Sequence, residues 1–114
     1  MTKKMLKTKR NVFQTPVVKY QVVKGKKVVG RVSLYVVKNN LHKRPYGYIE
    51  DLYVEEALRG QGYGKALLLT LIAEAKKKKL YKLVGTSRTF RTQIHSFYEK
   101  FGFKKYGFEF RMDL

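Results

Sequence analysis

Three glycines at alternate positions, Gly60, Gly62 and Gly64, form the feature that most constrains how this chain can fold. They follow residues 46–54, a run rich in tyrosine and aliphatic side chains that is typical of a β-strand. They precede residues 65–79, which contain strong helix formers and neither glycine nor proline. A glycine-rich turn from a strand into a helix lets the backbone approach a ligand closely, and the first N–H groups of the helix have no intrahelical partner. The loop therefore predicts an anion site that suits a pyrophosphate.

The spacing of these glycines excludes two common phosphate-binding loops. No Gly-Lys-Ser/Thr sequence closes the loop, as it would in a Walker loop. The glycines recur at steps of two and two, whereas the Rossmann fingerprint has steps of two and three. The rest of the site must therefore be identified from other segments of the chain.

The segments before the loop predict three strands. Residues 16–24 and 27–38 are rich in valine, tyrosine and leucine and flank a Gly25-Lys26 turn, which is typical of a β-hairpin. Residues 46–54 are the third strand. Regular alternation along this strand predicts one face with Ile49, Asp51 and Tyr53 and the other with Tyr48, Glu50, Leu52 and Val54.

The segment after the loop predicts a helix at residues 65–79. Its middle, residues 66–73, is apolar on nearly every side, which predicts a helix buried on nearly every side. Four lysines at residues 76–79 complement the negative end of the helix dipole. A nucleic-acid-binding patch is the alternative interpretation of these lysines.

The remaining elements complete an α+β (mixed α/β) fold. The pattern predicts a strand at residues 82–86, a helix at 89–101 that stops at Gly102, and closing strands at 103–106 and 108–114. This order predicts a central mixed, mostly antiparallel sheet with helices packed on it.

Length and composition indicate one soluble domain. We expect that domain at residues 16–114, preceded by a basic segment at residues 1–15. The chain has no cysteine, and two isolated histidines, His42 and His95, do not make a metal site. No segment reaches the roughly 18 consecutive apolar residues of a membrane span, and no apolar run of signal-peptide length follows the N-terminus. We expect a cytoplasmic protein without a membrane partner.

The charge is strongly positive and unevenly distributed. Twenty-six basic against eight acidic residues give a net charge of +18, and no acidic residue precedes Glu50. Such a field attracts polyanions, among them nucleic acid, phosphorylated ligands and acidic proteins. A lysine-rich solvated surface is the alternative, although that pattern usually includes matching glutamates.

Three segments together resemble the GNAT superfamily of N-acetyltransferases. Residues 59–64, Arg-Gly-Gln-Gly-Tyr-Gly, match its Arg/Gln-x-x-Gly-x-Gly/Ala signature. Residues 49–54, Ile-Glu-Asp-Leu-Tyr-Val, are similar to its central strand, and residues 97–103, Phe-Tyr-Glu-Lys-Phe-Gly-Phe, to its Phe-Tyr-x-x-x-Gly-Phe segment. The resemblance covers residues 16–114. It implies the GNAT acyl-CoA N-acyltransferase fold and acetyl transfer from acetyl-CoA to an amine.

The resemblance implies acetyl-CoA as the co-substrate and no metal. The loop would hold the pyrophosphate through its backbone, and the third strand would pair its backbone with the pantetheine arm. Arg91 could reach a CoA phosphate, although an exposed helix arginine is the alternative. The residues expected at the co-substrate are Leu52, Tyr53, Val54, Arg59, Gly60, Gln61, Gly62, Tyr63, Gly64, Lys65 and Arg91.

Two residues are expected to move protons. Glu50 matches the position that serves as the base, or holds a base water, in relatives with this Ile-Glu-Asp-Leu pattern. Its alternative is a solvated carboxylate that binds a cationic acceptor. Tyr98 matches the family tyrosine that donates to the CoA sulfur, whereas helical periodicity alone would make it a core residue.

The acceptor side is less well specified. Family members usually have a strand and two helices before the hairpin, and residues 1–15 are too few to supply them, so we expect an N-terminally shortened fold. Residues 49–51 resemble both aminosugar-phosphate and polyamine acetyltransferases, and a protein amine is a third candidate acceptor. In family members those helices often wall the acceptor site. A homodimer, in which a neighbouring chain replaces this wall, is left open.

A second hypothesis is a non-catalytic module. It would bind CoA as a ligand, and its basic surface would bind nucleic acid or an acidic protein. The presence of Glu50, Tyr98 and the glycine loop favours the enzyme.

Overall fold

The computed structural model describes residues 6–114, so the first five residues of the predicted basic segment lie outside the described part. Residues 6–16 are exposed and contain neither helix nor strand. The elements that follow are β1 (Val17–Lys24), β2 (Lys27–Val37), β3 (Tyr46–Val54), α1 (Tyr63–Lys77), β4 (Leu83–Gly85) and α2 (Thr92–Lys100), with a 3₁₀ turn at Glu56–Leu58 between β3 and α1.

The four strands form one mixed sheet in the order β1-β2-β3-β4. The first two pairs are antiparallel and the last is parallel. Gly25, with a φ of 62°, lies in the hairpin turn between the paired residues Lys24 and Lys27. The chain passes from β3 to β4 through α1, because parallel neighbours need a crossover connection. The predicted hairpin and the mixed, mostly antiparallel sheet are confirmed.

Helix α1 is buried along one face only. Its four buried residues recur at helical spacing and pack on the sheet, but Leu69 is 45% exposed and Ala73 is also exposed. The predicted burial on nearly every side is therefore wrong, because apolar composition does not reveal which faces another element will cover. The buried core cluster consists of Val32, Leu34, Val36, Ile49, Val54, Leu67, Leu68 and Leu71.

Strand β3 contains a bulge at Asp51. The φ of Asp51 is 59°, in the left-handed region, and the pairing with β2 jumps from Ser33 opposite Glu50 to Arg31 opposite Tyr53. An extra residue of this kind breaks the regular alternation of side chains. As a result, the consecutive side chains of Glu50 and Asp51 are both exposed.

The bulge makes the predicted faces of β3 wrong beyond Glu50. Ile49 and Val54 both belong to the buried core, and Leu52 packs against it. Tyr53, which regular alternation groups with Ile49, is exposed. The alternation rule fails here because it assumes one residue per pleat on both paired strands.

Helix α2 begins at Thr92, three residues later than predicted, because the N–H of Arg91 closes a turn to the carbonyl of Arg88. It ends in a Schellman-type turn: the N–H of Gly102 donates to the carbonyl of Glu99, and Gly102 has a φ of 92°. The predicted stop at Gly102 is confirmed. Neither helix within residues 6–114 has the length and apolar character needed to cross a membrane.

Residues 103–114 form neither of the two predicted closing strands. They have no regular secondary structure, and Tyr106, Phe108 and Phe110 are 98%, 86% and 93% exposed. Their apolar–polar alternation is that of a strand, but a strand needs a neighbour, and none pairs with this segment among residues 6–114. The prediction is wrong because the pattern does not identify the pairing partner.

Candidate active site

A gap opens where β3 and β4 stop pairing. These parallel strands pair only between residues 47–49 and 83–85, although β3 continues to Val54. The hydroxyls of Tyr48 and Thr86 are 3.1 Å apart, which ties the segment after β4 to β3 at the mouth of the gap. The gap forms a pocket of about 270 Å³, lined by β3, one residue of β2, the segment between β4 and α2, and one side of α2.

Tyr98 reaches this pocket from α2. Its ring centroid lies 5.2 Å from that of Phe103, and a Cβ added to Gly85 would lie 3.6 Å from its hydroxyl oxygen. Burial raises the pKa of Tyr98, Tyr48 adds to the rise, and Arg91 opposes it. The hydroxyl therefore keeps its proton at neutral pH and can donate a hydrogen bond.

Two carboxylates and two guanidiniums line the pocket without pairing with one another. Glu50 and Asp51 come from the bulge of β3, Arg31 comes from β2, and Arg91 precedes α2. Within residues 6–114, none of the four belongs to an ion pair of 4 Å or less. Instead, the Cζ of Arg31 lies 4.8 Å from the ring centroid of Tyr53. Charges of both signs are therefore available to a ligand.

The glycine loop beyond β3 presents unpaired backbone donors. Gly60 and Gly62 have φ values of 80° and 90°, which side-chain-bearing residues rarely adopt. The N–H of Ala66 donates to the carbonyl of Gly62. The N–H groups of residues 63–65 precede this bond and have no backbone acceptor in the described part of the chain. Together with the positive end of the helix dipole, such N–H groups suit an anion. The predicted anion site itself stays a prediction.

Arg59 joins the glycine loop to the end of β3. Its Nε donates to the carbonyl of Val54 at 2.8 Å, and its Cζ lies 5.4 Å from the ring centroid of Tyr53. Two guanidiniums, those of Arg59 and Arg31, therefore lie close to one exposed ring. These contacts hold the loop at the end of β3, next to the pocket.

The structure brings only part of the predicted site into one pocket. The predicted residues that line it are Glu50, Leu52, Tyr53, Arg91 and Tyr98. Val54 is buried in the core, and the predicted loop residues lie beyond the end of β3. The contact of Arg91 with a CoA phosphate stays a prediction.

Arg31, Thr86, Ser87 and Ile94 also line the pocket, and the sequence does not identify them. Arg31, on β2, reaches the pocket because it is paired with Tyr53 on the neighbouring strand β3. That register depends on the bulge. The available signal was a basic side chain in the middle of a mostly apolar strand. The hydroxyls follow β4 directly, at the point where the strands separate.

Known proteins share this sequence pattern. A family model described as the acetyltransferase (GNAT) family matches residues 4–103. A glucosamine 6-phosphate N-acetyltransferase of Trypanosoma brucei brucei is 36% identical over 89 residues, which cover 77% of this chain and 58% of that protein. The chain therefore spans little more than half the length of this curated relative.

Solved structures share the fold. An acetyltransferase from Trypanosoma brucei has a TM-score of 0.78 and 33% identity, with 86% of this chain and 69% of that chain covered. A glucosamine-6-phosphate N-acetyltransferase from Arabidopsis thaliana has a TM-score of 0.77 and 23% identity, with 85% and 66% covered. At the lower identity, the likeness concerns the fold alone.

Proposed function

The chain belongs to the acetyltransferase (GNAT) family, and we propose that it transfers an acetyl group from acetyl-CoA to a primary amine. The observation that carries this proposal is the gap between β3 and β4, where Glu50 and Tyr98 line one pocket. The same strand, β3, leads into the glycine loop with its unpaired N–H groups. A donor bound along β3 and an amine entering the pocket would meet between these two side chains.

The donor half of the site would rely on the backbone. The unpaired N–H groups of residues 63–65, at the start of α1, fit the pyrophosphate of acetyl-CoA. Beyond Ile49, no strand among residues 6–114 pairs with β3 on its β4 side. Residues 52–54 can therefore offer backbone groups to an extended pantetheine arm, in the way that a sheet edge accepts a strand. Acetyl-CoA supplies the acetyl group as an activated thioester.

The proposed reaction needs one proton acceptor and one proton donor. The amine nitrogen attacks the thioester carbonyl, the C–N bond forms and the C–S bond breaks. Glu50 accepts the proton that leaves the amine, directly or through a water, and Tyr98 gives its hydroxyl proton to the departing sulfur. Tyr98 suits this donation because burial raises its pKa, so the proton is present at neutral pH. Exposed Glu50 can pass its proton on to solvent.

The unpaired charges of the pocket favour an acceptor that carries both an amine and an anionic group. Glu50 and Asp51 would attract the cationic amine, and Arg31 and Arg91 would bind the anion. The relative from Trypanosoma brucei brucei is named for glucosamine 6-phosphate, which has this chemistry. The net charge of +18 also favours phosphorylated acceptors over polyamines.

A turnover assay tests the activity. The purified chain is incubated with acetyl-CoA and, in separate reactions, glucosamine 6-phosphate, glucosamine or spermidine. The amount of free thiol released and the mass of the product are then measured. We expect an acetylated product and thiol release, fastest with glucosamine 6-phosphate. Confirmed CoA binding without turnover of a broad amine panel would contradict the enzyme and support the CoA-binding module.

A variant of Arg31 tests the acceptor class separately. Arg31→Gln should raise the KM for glucosamine 6-phosphate roughly 10- to 150-fold, because a charge-assisted hydrogen bond contributes roughly 1.5–3 kcal/mol. The KM values for acetyl-CoA and glucosamine should stay unchanged. Arg44→Gln, in the exposed loop between β2 and β3, is the matched control. A rise in the KM for acetyl-CoA alone would assign Arg31 to the donor instead.

A further inference from the structure

A basic patch with aromatic side chains lies at the end of the sheet opposite to the glycine loop. It consists of two segments: residues 38–46, which lead into β3, and residues 76–82, which run from the end of α1 to the residue before β4. We propose that this basic patch binds a single strand of nucleic acid. Such binding is a further property of the chain and does not depend on acetyl transfer.

Backbone hydrogen bonds join the two segments of the basic patch. The N–H of Tyr81 donates to the carbonyl of Pro45 at 3.1 Å. The N–H of Gly47 donates to the carbonyl of Lys82 at 2.9 Å. The two segments therefore form one surface, although the glycine loop and most of β3 and α1 lie between them in the sequence.

The basic patch concentrates positive charge. Its two segments contain eight of the 26 basic residues of the chain and none of the acidic ones. Lys78 pairs with Glu74 at 3.7 Å, and no other ion pair of 4 Å or less within residues 6–114 involves the patch. The dipole of α1 contributes only about half an elementary negative charge at this end. It offsets a small part of the positive charge, and the rest is available to a polyanion.

Aromatic rings lie among these charges. The Nζ of Lys82 lies 5.0 Å from the ring centroid of Tyr46 and 5.4 Å from that of Tyr81. The ring of His42 lies 4.9 Å from that of Tyr81, centroid to centroid. His42 is exposed and both tyrosines are half-buried, so part of this ring surface is open to solvent. Rings of this kind are surfaces on which unpaired bases stack.

The combination of cations and rings favours a single strand over other polyanions. An acidic protein would pair with the cations and leave the rings without a partner. A duplex presents its phosphates, but its bases are stacked on one another and do not reach rings on a protein surface. An unpaired strand offers phosphates to the cations and bases to the rings. This recognition does not involve the sugar, so ribose and deoxyribose strands both fit.

The backbone at Lys79 supports a role for its charge. Lys79 follows α1 and has a φ of 58°, in the left-handed region. Its N–H donates to the carbonyl of Lys76, and the N–H of Leu80 donates to the carbonyl of Ala75, which is the Schellman pattern. Glycine is the usual residue at this position, because a Cβ is strained there. A cationic side chain therefore lies where glycine would give a more stable turn.

The basic patch is separate from the proposed acetyl-CoA site. Helix α1 begins at the glycine loop and ends in the patch, and its 15 residues span about 22 Å. Strand β3 begins in the patch at Tyr46 and leads to the glycine loop after Val54. A strand of nucleic acid on the patch would leave the pocket and the loop free, so both ligands should bind at once.

Fluorescence anisotropy with a labelled pyrimidine oligonucleotide of about 15 nucleotides tests the proposal. Ribose and deoxyribose strands should both bind, and four or five phosphate contacts give a slope of log K against log salt of roughly −3. The same strand in a duplex should bind about tenfold more weakly, because its bases cannot stack on the rings. Saturating acetyl-CoA should leave the affinity unchanged. Absence of saturable binding, equal affinity for the duplex, or displacement by acetyl-CoA would overturn the proposal.

Polyglutamate separates nucleic acid from an acidic protein as the partner. At the same total charge as the oligonucleotide it should compete only weakly, because it provides no bases. Tighter binding of polyglutamate than of the strand would assign the patch to an acidic protein and overturn the proposal.

His42→Ala tests the stacking. It should weaken binding of the strand roughly 5- to 150-fold, the loss expected when one base–ring stack is removed. His42→Phe keeps a ring and should retain the affinity. The matched control is Phe90→Ala, which removes an exposed ring between β4 and α2 and should bind like wild type. Wild-type affinity of His42→Ala would overturn the proposal.

Lys79→Gly tests the charge without weakening the fold. The salt slope should become shallower by about 0.7, the value of one phosphate contact with a single strand. The melting temperature should rise, because glycine suits the left-handed position. Lys26→Gln removes the same charge from the hairpin turn, at the other end of β2 from the patch, and should leave the slope unchanged. Equal losses of affinity in both variants would show attraction to the basic chain as a whole and overturn the proposal.

Discussion

Tyr98 combines a packed ring with a hydroxyl near the pocket. The ring lies 5.9 Å from Phe97 and 5.2 Å from Phe103, centroid to centroid, and the hydroxyl lies beside Gly85. No hydrogen bond to the hydroxyl is formed by the described residues. Removal of the hydroxyl alone should therefore leave the packing intact and change only the chemistry.

Tyr98→Phe should lower kcat by roughly 10²-fold, the scale of a lost general acid. The KM for acetyl-CoA and the melting temperature should change little, because the ring still packs. Steady-state kinetics with the preferred amine and a thermal melt provide the two readouts. An unchanged kcat would remove Tyr98 from the proposed mechanism.

A second tyrosine, Tyr20 on β1, donates a hydrogen bond to Glu74 on α1. This bond raises the pKa of Tyr20 to about 12 and lowers the pKa of Glu74 below its ordinary value of 4.5. A lowered carboxyl pKa gives stability that is present above the ordinary value and lost as the pH falls through the folded-state value. The raised tyrosine pKa gives stability that is present below pH 10 and lost as the pH rises toward 12.

Tyr20→Phe should therefore lower the melting temperature at pH 7, and the difference from wild type should shrink as the pH falls below 4.5. Tyr106→Phe is the matched control, since that ring is 98% exposed and should give no difference. Thermal melts from pH 7 to pH 3 check both variants. A difference that stays constant over this range would contradict the assigned hydrogen bond.

At the residue scale, the sequence predicts residues that belong to a contiguous motif. Glu50 and Tyr98 are predicted from short contiguous segments of the sequence, and in the structure both line one pocket. Arg31 cannot be predicted in this way, because it reaches the pocket through its cross-strand pairing with Tyr53. Their roles in proton transfer and binding remain proposals.

Among the elements, β3 links the fold to the site. Its first residues pair with β4, its bulge at Asp51 exposes two carboxylates, and its end leads into the glycine loop. The close approach of β3 to its neighbours depends on Gly47. A Cβ there would lie 2.6 Å from a methyl of Leu83 and 2.7 Å from a methyl of Leu34.

Gly47→Ala should destabilise the fold by about 1–3 kcal/mol, the usual cost of overpacking a core. Leu34 is fully buried and cannot move aside freely. Gly107→Ala is the matched control, because nothing lies within 4 Å of the added Cβ. Urea unfolding gives both free energies. Equal stability of the two variants would contradict the packing described between β2, β3 and β4.

The elements up to Gly102 and the β1–β2 hairpin could be predicted from sequence, but the other contacts between elements could not. The hairpin, the strand–loop–helix unit and the stop at Gly102 depend on local patterns and were predicted to within a few residues. The bulge at Asp51 depends on how β2 pairs with β3. The exposed face of α1 and the unpaired segment 103–114 depend on which elements are present to cover them. None of these is encoded in a single segment.

At the scale of the whole molecule, the central proposal is that acetyl-CoA binds along β3 and the glycine loop, so that its acetyl group enters the pocket of Glu50 and Tyr98. Titration of the ¹⁵N-labelled chain with acetyl-CoA, followed by amide correlation spectra, tests it most directly. We predict the largest shifts at the amides of residues 52–54 and 60–65, with little change in β1. Saturable binding with unshifted loop amides, or with the largest shifts at the lysines of residues 76–79, would contradict the claim.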